Sequence, residues 1–283
     1  GVDNPKRIRA LLEQSARLEF WEVYGNSPKN GFAGYKKIYE PMNAAYAQKL
    51  RLSKGDSQED SAKIKEIATI ADSTARDSAN KAFIAERAAK DSSKYPFAEN
   101  GLIPLQDQKG NIVESSVLAR APKEMINKIN KMLEDEIVLN ALPKNVKFAW
   151  SAKPESEESQ VYQLFALKAN KDGKAALGSG EENIIADAFA TNSANSGQVE
   201  VSMSMTQQAT KDWKNITRIA AQTNDYIAIV LDNKVFSAPR VNEEIPSGNS
   251  SISGGFSVTE ANDLANILKA GKLPAPADIV AED

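Results

Sequence analysis

The feature that most constrains the fold is a hairpin pattern near the C-terminus, YIAIVLDNKVFSAPRV, residues 226–241. Apolar residues alternate on both sides of Asp232-Asn233, as in two strands joined by a tight turn. Such a turn needs positive φ at both central positions, which Asp and Asn tolerate better than other non-glycine residues. The pattern therefore predicts an antiparallel β-hairpin whose second strand ends before Pro239.

The chain has no histidine and no cysteine among its 283 residues. This excludes disulfide bonds, thiolate catalysis and cysteine metal sites. It also removes the side chain most used as a general base near neutral pH and as a zinc ligand. We therefore predict no catalytic residue, no cofactor and no metal site.

Charge and hydropathy limit the possible partners. With 41% hydrophobic and 26% charged residues, the chain has the composition of a soluble globular protein. A net charge of −3 offers no basic surface, so no nucleic acid is expected as a partner. No run of apolar residues is long enough to cross a membrane. The chain begins with Gly1 rather than Met, which predicts a fragment of a longer protein.

Residues 36–94 are predicted to be mainly helical, with strands before and after them. An N-terminal helix leads into a strand at RLEFWEVY, and the apolar spacing that follows predicts a helical hairpin within residues 36–94. Three further elements follow in the order helix, strand, strand, at residues 122–141, 146–152 and 161–169.

The last hundred residues combine strands and helices without a regular βαβ order. SVTEANDLANILKAG predicts a capped helix, with Ser257 as N-cap, Glu260 completing a capping box, and Gly271 and Pro274 ending it. The predicted fold class is α+β, a mixed or antiparallel sheet with packed helices, plus a largely helical insertion that contains a β-hairpin.

Motifs with a chemical meaning have simpler explanations here. Gly178-x-Gly180 lacks the third glycine of a dinucleotide fingerprint, because Asn183 stands there, so a flexible link is predicted. Ser78-x-x-Lys81 matches a hydrolase nucleophile pattern without its companion motifs. A serine hydrolase would need those two residues buried together in a pocket. Paired acidic residues are predicted to be solvated, and the chain is not predicted to be an enzyme.

The C-terminal residues resemble the signature of the SecD family, the membrane-embedded accessory subunits of the bacterial Sec protein-export machinery. The resemblance is carried by AIVLD at 228–232, Ser237-Ala238-Pro239, Gly248, Gly254, Phe256, Glu260-Ala261, Ala270-Gly271 and Leu273-Pro274. The N-terminal GVDNPKRIRALLEQSARLEF resembles a second family segment. The chain departs from the family pattern at Asn233, Ser247, Gly255 and Lys272.

The resemblance implies a division of the chain. Residues 1–24 and 183–283 would form the family's extracytoplasmic α+β core, a head with its flanks. Residues 25–182 match no family segment and are predicted to be a lineage-specific insertion.

The resemblance also implies a role. SecD-like proteins, alone or fused to SecF, carry a periplasmic domain proposed to bind emerging preprotein and to support export driven by the proton motive force. The implied partners are unfolded preproteins and, through the full-length protein, a SecF-like partner and a SecY-type channel. Membrane contact and proton-carrying residues would belong to transmembrane helices outside this chain. The alternative is a docking module of the translocon or cell envelope that does not bind preprotein.

A module that binds many unfolded sequences is expected to use apolar surface or an open sheet edge. Phe236 and Phe256 are the predicted preprotein contacts, with core packing as the alternative for both. The other motif residues are predicted to fix the geometry of the head: Asp232, Ser237, Pro239, Gly248, Gly254, Gly271 and Pro274.

Overall fold

The computed structural model describes residues 18–53, 57–72, 75–76, 78–80, 82, 94–156, 158–178, 184–193, 197–253 and 256–270. Its strands are β1 (Leu18–Val23), β2 (Ala119–Pro122), β3 (Val146–Ser151), β4 (Val161–Lys168), β5 (Ile185–Asn192), β6 (Val199–Met205), β7 (Ile227–Leu231), β8 (Lys234–Ser237) and β9 (Asn249–Ile252). Its α-helices are α1 (Glu40–Ser53), α2 (Ser57–Ala68), α3 (Pro96–Glu99), α4 (Ile126–Leu133), α5 (Glu136–Ala141), α6 (Gln207–Thr223) and α7 (Val258–Ala270).

The larger sheet closes on itself. Its six strands run in the order β1-β7-β8-β3-β4-β2, and β4 also pairs with β1. Glu22 pairs with Lys168 and Val23 with Leu167 at this closure. Five strands therefore form a ring, β1-β7-β8-β3-β4, in which only the β3–β8 pair is parallel. Closure gives every ring strand a hydrogen-bonded neighbour on both sides.

Alternate side chains of the ring strands point inward and fill it. β1 contributes Trp21 and Val23, and β7 contributes Ala228 and Val230. The remaining members of this buried cluster are Val117, Ala149, Phe165, Leu167, Ala169, Ala175, Tyr226 and Val235. The small ring is thus a packed core, since its interior is just wide enough for side chains.

A second layer covers the outside of the ring at β1 and β7. It consists of the antiparallel sheet β5-β6-β9, on which α7 packs, together with α6. Leu18 and Phe20 of β1 belong to the same buried cluster as Trp213 of α6 and Leu264 of α7. The rings of Phe20 and Trp213 meet edge to face with their centroids 4.9 Å apart. One apolar core therefore joins the second layer to the ring.

A third group of buried residues lies under the helices of the predicted insertion. Tyr39, from a π-helical turn at Tyr35–Tyr39, and Met42 of α1 belong to the same buried cluster as Leu164 of β4. The Tyr39 hydroxyl donates a hydrogen bond of 2.7 Å to the Leu102 carbonyl oxygen, so the buried phenol is satisfied. Burial raises the pKa of Tyr39 above its usual range.

The predicted α+β class is confirmed, with sheets packed against helices. β3 and β4 end one residue before the predicted bounds of 152 and 169. The N-terminal helix predicted before β1 lies outside the described residues.

The single helix predicted for residues 122–141 is wrong. Pro122 is the last residue of β2, Lys123–Met125 form a 3-10 turn, and α4 and α5 follow as separate helices. Asp135 breaks the helix because its backbone is extended and its side chain accepts a hydrogen bond from the Ile137 amide at 3.3 Å, as an N-cap does. The apolar spacing continues across the break, so periodicity alone could not detect it.

In the region where the sequence predicts a helical hairpin, α1 and α2 follow one another. α1 packs against α3 and α5. An ion pair between Lys49 of α1 and Asp135 reinforces the contact with α5.

The predicted boundary at residue 25 does not separate two sheets. β1, β7 and β8 come from the predicted core, whereas β2, β3 and β4 come from the predicted insertion, and all six share one sheet. That residues 25–182 are a lineage-specific insertion into the family core remains a prediction. Among the described helices, none combines the length and the apolar character needed to cross a bilayer.

The shared core makes a direct prediction. Phe20→Ala should lower the free energy of unfolding by about 3–5 kcal/mol, because Phe20 is fully buried between ring and second layer. Urea titration followed by circular dichroism and by tryptophan fluorescence should give coincident transitions. Phe189→Ala is the matched control, since Phe189 is 51% exposed and should change stability little. Equal effects of the two substitutions would contradict this account.

Candidate functional site

The hairpin has the geometry that its sequence predicts. Leu231 pairs with Lys234, which leaves Asp232 and Asn233 as a two-residue turn. Their φ angles are 47° and 64°, so both adopt the left-handed conformation. Every residue of β7 is buried, because one face lies inside the ring and the other faces the second layer.

The Ser-Ala-Pro segment holds the chain where it leaves the hairpin. β8 ends at Ser237, whose hydroxyl donates to the Ser253 carbonyl oxygen at 3.4 Å. The carbonyl oxygen of Pro239 accepts a hydrogen bond from the Ile227 amide at 3.2 Å. Ser237 therefore contacts its neighbour through its hydroxyl, and Pro239 through its backbone carbonyl. The structural role of both residues stays a prediction.

A polar cluster at the end of α6 ties the predicted insertion to the head. Asp225, which is 8% exposed, forms an ion pair of 3.1 Å with Lys168. Its carboxylate also accepts hydrogen bonds from the side-chain amide of Asn30 at 2.7 Å and from the Thr223 hydroxyl at 3.0 Å. No local sequence pattern indicates this cluster, because its members come from three distant parts of the chain.

Gly248 occupies a position that only glycine fits well. Its φ is 72°, and a Cβ there would lie 2.6 Å from the Thr210 hydroxyl oxygen. Its carbonyl oxygen accepts a hydrogen bond from the Met205 amide at 2.9 Å. Gly248 thus lets the chain enter β9 close to α6. The predicted Gly254, Gly271 and Pro274 lie outside the described residues.

Phe236 and Phe256 are half-buried and pack against the core that joins the ring to the second layer. Neither is among the strongly exposed apolar side chains of the described residues. Their assignment as preprotein contacts stays a prediction.

An exposed aromatic side chain of the head lies on the other side of the second sheet. The register of β5, β6 and β9 places Asp187, Phe189, Thr191, Glu200, Ser202, Ser204, Asn249 and Ser251 on one surface, which we call the outer face. Phe189 is 51% exposed among these mostly small polar residues. Sequence alternation in IADAFATN could have indicated Phe189, because it falls in the solvent-facing phase.

The mouth of the ring holds a cavity of about 220 Å³ lined by Glu19, Trp21, Lys147 and Lys174, among others. The Trp21 indole N–H donates to a Glu19 carboxylate oxygen at 2.9 Å. The Lys147 ammonium lies 5.3 Å from the Trp21 ring centroid. Glu19 and Lys147 therefore both interact with the Trp21 side chain.

The motifs with a chemical meaning acquire structural explanations. Gly178 has a φ of 91°, and a Cβ there would lie 2.4 Å from the Leu18 carbonyl oxygen, so close packing explains this glycine. Ser78 is exposed, and Lys81 lies outside the described residues. Within the described part of the chain, no cluster of acidic residues could hold a metal ion.

The capping box at the start of α7 also contacts the predicted insertion. Glu260 accepts hydrogen bonds from the Ser257 amide at 2.9 Å and from its hydroxyl at 3.0 Å. It also forms an ion pair with Lys153, which follows β3. The Lys153 hydrogen bond, followed by that of the Ser257 amide, lowers the pKa of Glu260 to about 2.

Comparison with known proteins identifies the family. Residues 172–275, which include β5 to β9, match the family model of the SecDF P1 head subdomain. The protein translocase subunit SecD of Rhodothermus marinus is 31% identical over 285 residues, an alignment that covers 100% of this chain and 40% of that protein. Residues 172–275 are a SecD-family P1 head domain. This confirms the resemblance inferred from the C-terminal motifs.

Other SecD-family proteins match shorter segments. SecD of Desulfurispirillum indicum is 59% identical over 54 residues, which cover 19% of this chain and 10% of that protein. A crystal structure of SecDF from Thermus thermophilus, a translocon-associated membrane protein, aligns at 34% identity over 35% of this chain and 14% of that chain, with a TM-score of 0.29.

The chain corresponds to only part of the SecD protein that it matches over its whole length. The chain spans 40% of the Rhodothermus marinus SecD that it matches from end to end. That alignment runs through residues 25–182, so the predicted insertion has a counterpart in at least this relative.

The Glu260 contacts predict a pH dependence. A carboxyl group whose pKa is lower in the folded state stabilises the fold above its unfolded pKa and loses that contribution as pH falls through the folded value. The difference in unfolding free energy between wild type and Glu260→Gln should therefore be full above pH 4.5 and shrink as pH falls towards 2. Urea titrations across this range measure it. In a Lys153→Met background the pH dependence should be smaller, and an unchanged dependence would contradict the assignment.

The geometry at Gly248 predicts that any side chain added there destabilises the fold by a steric clash as well as by backbone strain. Gly248→Ala should lower the free energy of unfolding by about 1–3 kcal/mol, because both its φ and the Thr210 side chain oppose a Cβ. Gly110→Ala is the matched control, since Gly110 has a φ of 82° but no atom within 4 Å of the added carbon. Denaturant titration should show a smaller cost for Gly110→Ala, and Thr210→Ala should reduce the cost at Gly248. Equal costs at the two glycines would refute the steric argument.

Proposed function

We propose that this chain is the periplasmic part of a Sec-translocon accessory subunit, and that it binds preprotein and helps export driven by the proton motive force. The observation that carries the proposal is the end-to-end alignment with a protein translocase subunit SecD, together with the P1 head match over residues 172–275. A SecF-like partner and a SecY-type channel would be reached through the rest of a longer protein. The proposed role is non-enzymatic.

The surface of the head supports a binding role. The outer face carries mostly small polar side chains and the exposed Phe189. The same sheet has two edge strands, β5 and β9. Such a surface suits partners of varied sequence, because it sets few specific demands on their side chains. Phe236 and Phe256 remain proposed contacts beside this surface.

The core supports a mechanical role. Large rigid-body movements occur about hinges between bodies with few contacts, whereas a packed apolar core resists them. Here the Phe20–Trp213 contact and the Asp225 cluster hold the second layer against the ring. We therefore propose that the ring and the second layer move as one body, with the hinge outside these elements.

The proposal predicts a saturable interaction with unfolded chains. In an NMR titration of the isotope-labelled 283-residue chain with a permanently unfolded segment of a secreted protein, shift changes should cluster within residues 184–274. The folded secreted protein from which the segment is taken is the control and should produce no clustered shifts, since its backbone is already paired.

Two other results would change the proposal. Shifts confined to residues 36–142 would assign binding to the predicted insertion and favour the docking alternative for the head. The absence of shifts at millimolar polypeptide would contradict preprotein binding by this chain.

A further inference from the structure

The second sheet has an open edge at β5. Within the described ranges β5 pairs with β6 alone, over the register from Ile185 with Met205 to Asn192 with Val199. β5 is eight residues long, whereas β9, at the opposite edge, has four. A long edge strand presents a row of backbone groups that another chain can pair with.

One hydrogen bond shows which backbone groups point out from this edge. The Ala188 amide donates to its neighbour's carboxylate, Asp187 Oδ1, at 2.9 Å, so it points away from β6. Because backbone direction alternates along a strand, Ala190 points its N–H and C=O the same way as Ala188. Within the described part of the chain, neither group of Ala190 pairs with a backbone group across that edge.

The two ends of β5 differ in how well they are protected against pairing with another strand. At the N-terminal end, Asp187 blocks the Ala188 amide and forms an ion pair of 2.9 Å with Lys269 of α7. Charged side chains and bulges are usual devices against edge pairing, and the register of β5 shifts between Ile185 and Asp187. From Ala188 to Asn192 the sequence AFATN carries no charge and no proline. The unprotected edge is therefore the segment 188–192.

From this geometry we infer that the edge of β5 at residues 188–192 binds an extended polypeptide segment as an added strand. The inference rests on the proposed function and specifies its contact. The bound segment exchanges backbone hydrogen bonds with Ala190 and donates one to the Ala188 carbonyl oxygen. The half-exposed ring of Phe189 contacts its side chains on the outer face. Asp187 and Lys269 limit the contact at one end.

Strand addition suits a partner of unspecified sequence. Its affinity comes from main-chain hydrogen bonds that every residue except proline can make, and side chains add only preference. An extended chain has these groups free, whereas a folded protein has paired them. The absence of charge along 188–192 leaves the edge neutral towards acidic and basic segments alike.

The first test removes one outward donor. Ala190→Pro deletes the outward N–H and leaves the pairing of β5 with β6 intact, since proline is tolerated on the solvent side of an edge strand. It should weaken binding of an unfolded secretory segment about tenfold or more, the loss of one or two hydrogen bonds. Ala190→Ser keeps the N–H and is the matched control. Circular dichroism melts establish that both variants fold.

The second test leaves the protein unchanged. A neutral twelve-residue peptide of serine, threonine, valine and asparagine should bind, and a scrambled version should bind equally. The same peptide N-methylated at consecutive residues, so that neither edge can donate, should lose binding. Amide shifts should cluster at residues 188–192.

The outcomes separate this inference from the proposed function. Equal binding by folded Ala190→Pro and Ala190→Ser, or undiminished binding of the methylated peptide, would overturn strand addition. Saturable binding of unfolded chains with shifts on another surface would overturn it as well, while preprotein binding would stand. If the 283-residue chain binds no unfolded polypeptide, both fail.

Discussion

The architecture depends on one strand, β7, that is buried on both faces. Ala228 and Val230 fill the ring, while Ile227, Ile229 and Leu231 face the second layer. A slip of one residue would exchange the two sets and place the larger side chains inside the small ring. The tight turn at Asp232-Asn233 prevents this, because its two positive φ angles fix which residues of β7 and β8 pair.

Local chemistry explains what could be predicted from the sequence. The hairpin and the capping box of α7 each depend on residues within a few positions of one another, and both occur as predicted. Closure of the ring depends on the pairing of Glu22 with Lys168, which no local pattern specifies. The break at Asp135 was missed for a different reason, since the apolar stripe of the predicted helix continues through it.

The site was harder to predict than the fold. Aromatic residues within the family motif, Phe236 and Phe256, drew attention because of the motif, yet both pack against the core. Phe189 lies in the less recognisable part of the matched region and is far more exposed. A motif that preserves a fold is rich in residues that pack, so motif membership is a poor guide to a surface that binds chains of varied sequence.

The contacts between the parts bear on how such a domain could transmit movement. Residues of the predicted insertion supply two strands of the ring, one side of the Lys153–Glu260 ion pair and two members of the Asp225 cluster. An appended module would leave the core complete without it, whereas here the ring is open unless β3 and β4 are present. Force applied to the head would therefore reach the ring through buried contacts, and a chain held at the edge of β5 would be carried with the whole body. The absence of histidine fits this proposed division of labour, because a rigid carrier needs no group that titrates near neutral pH.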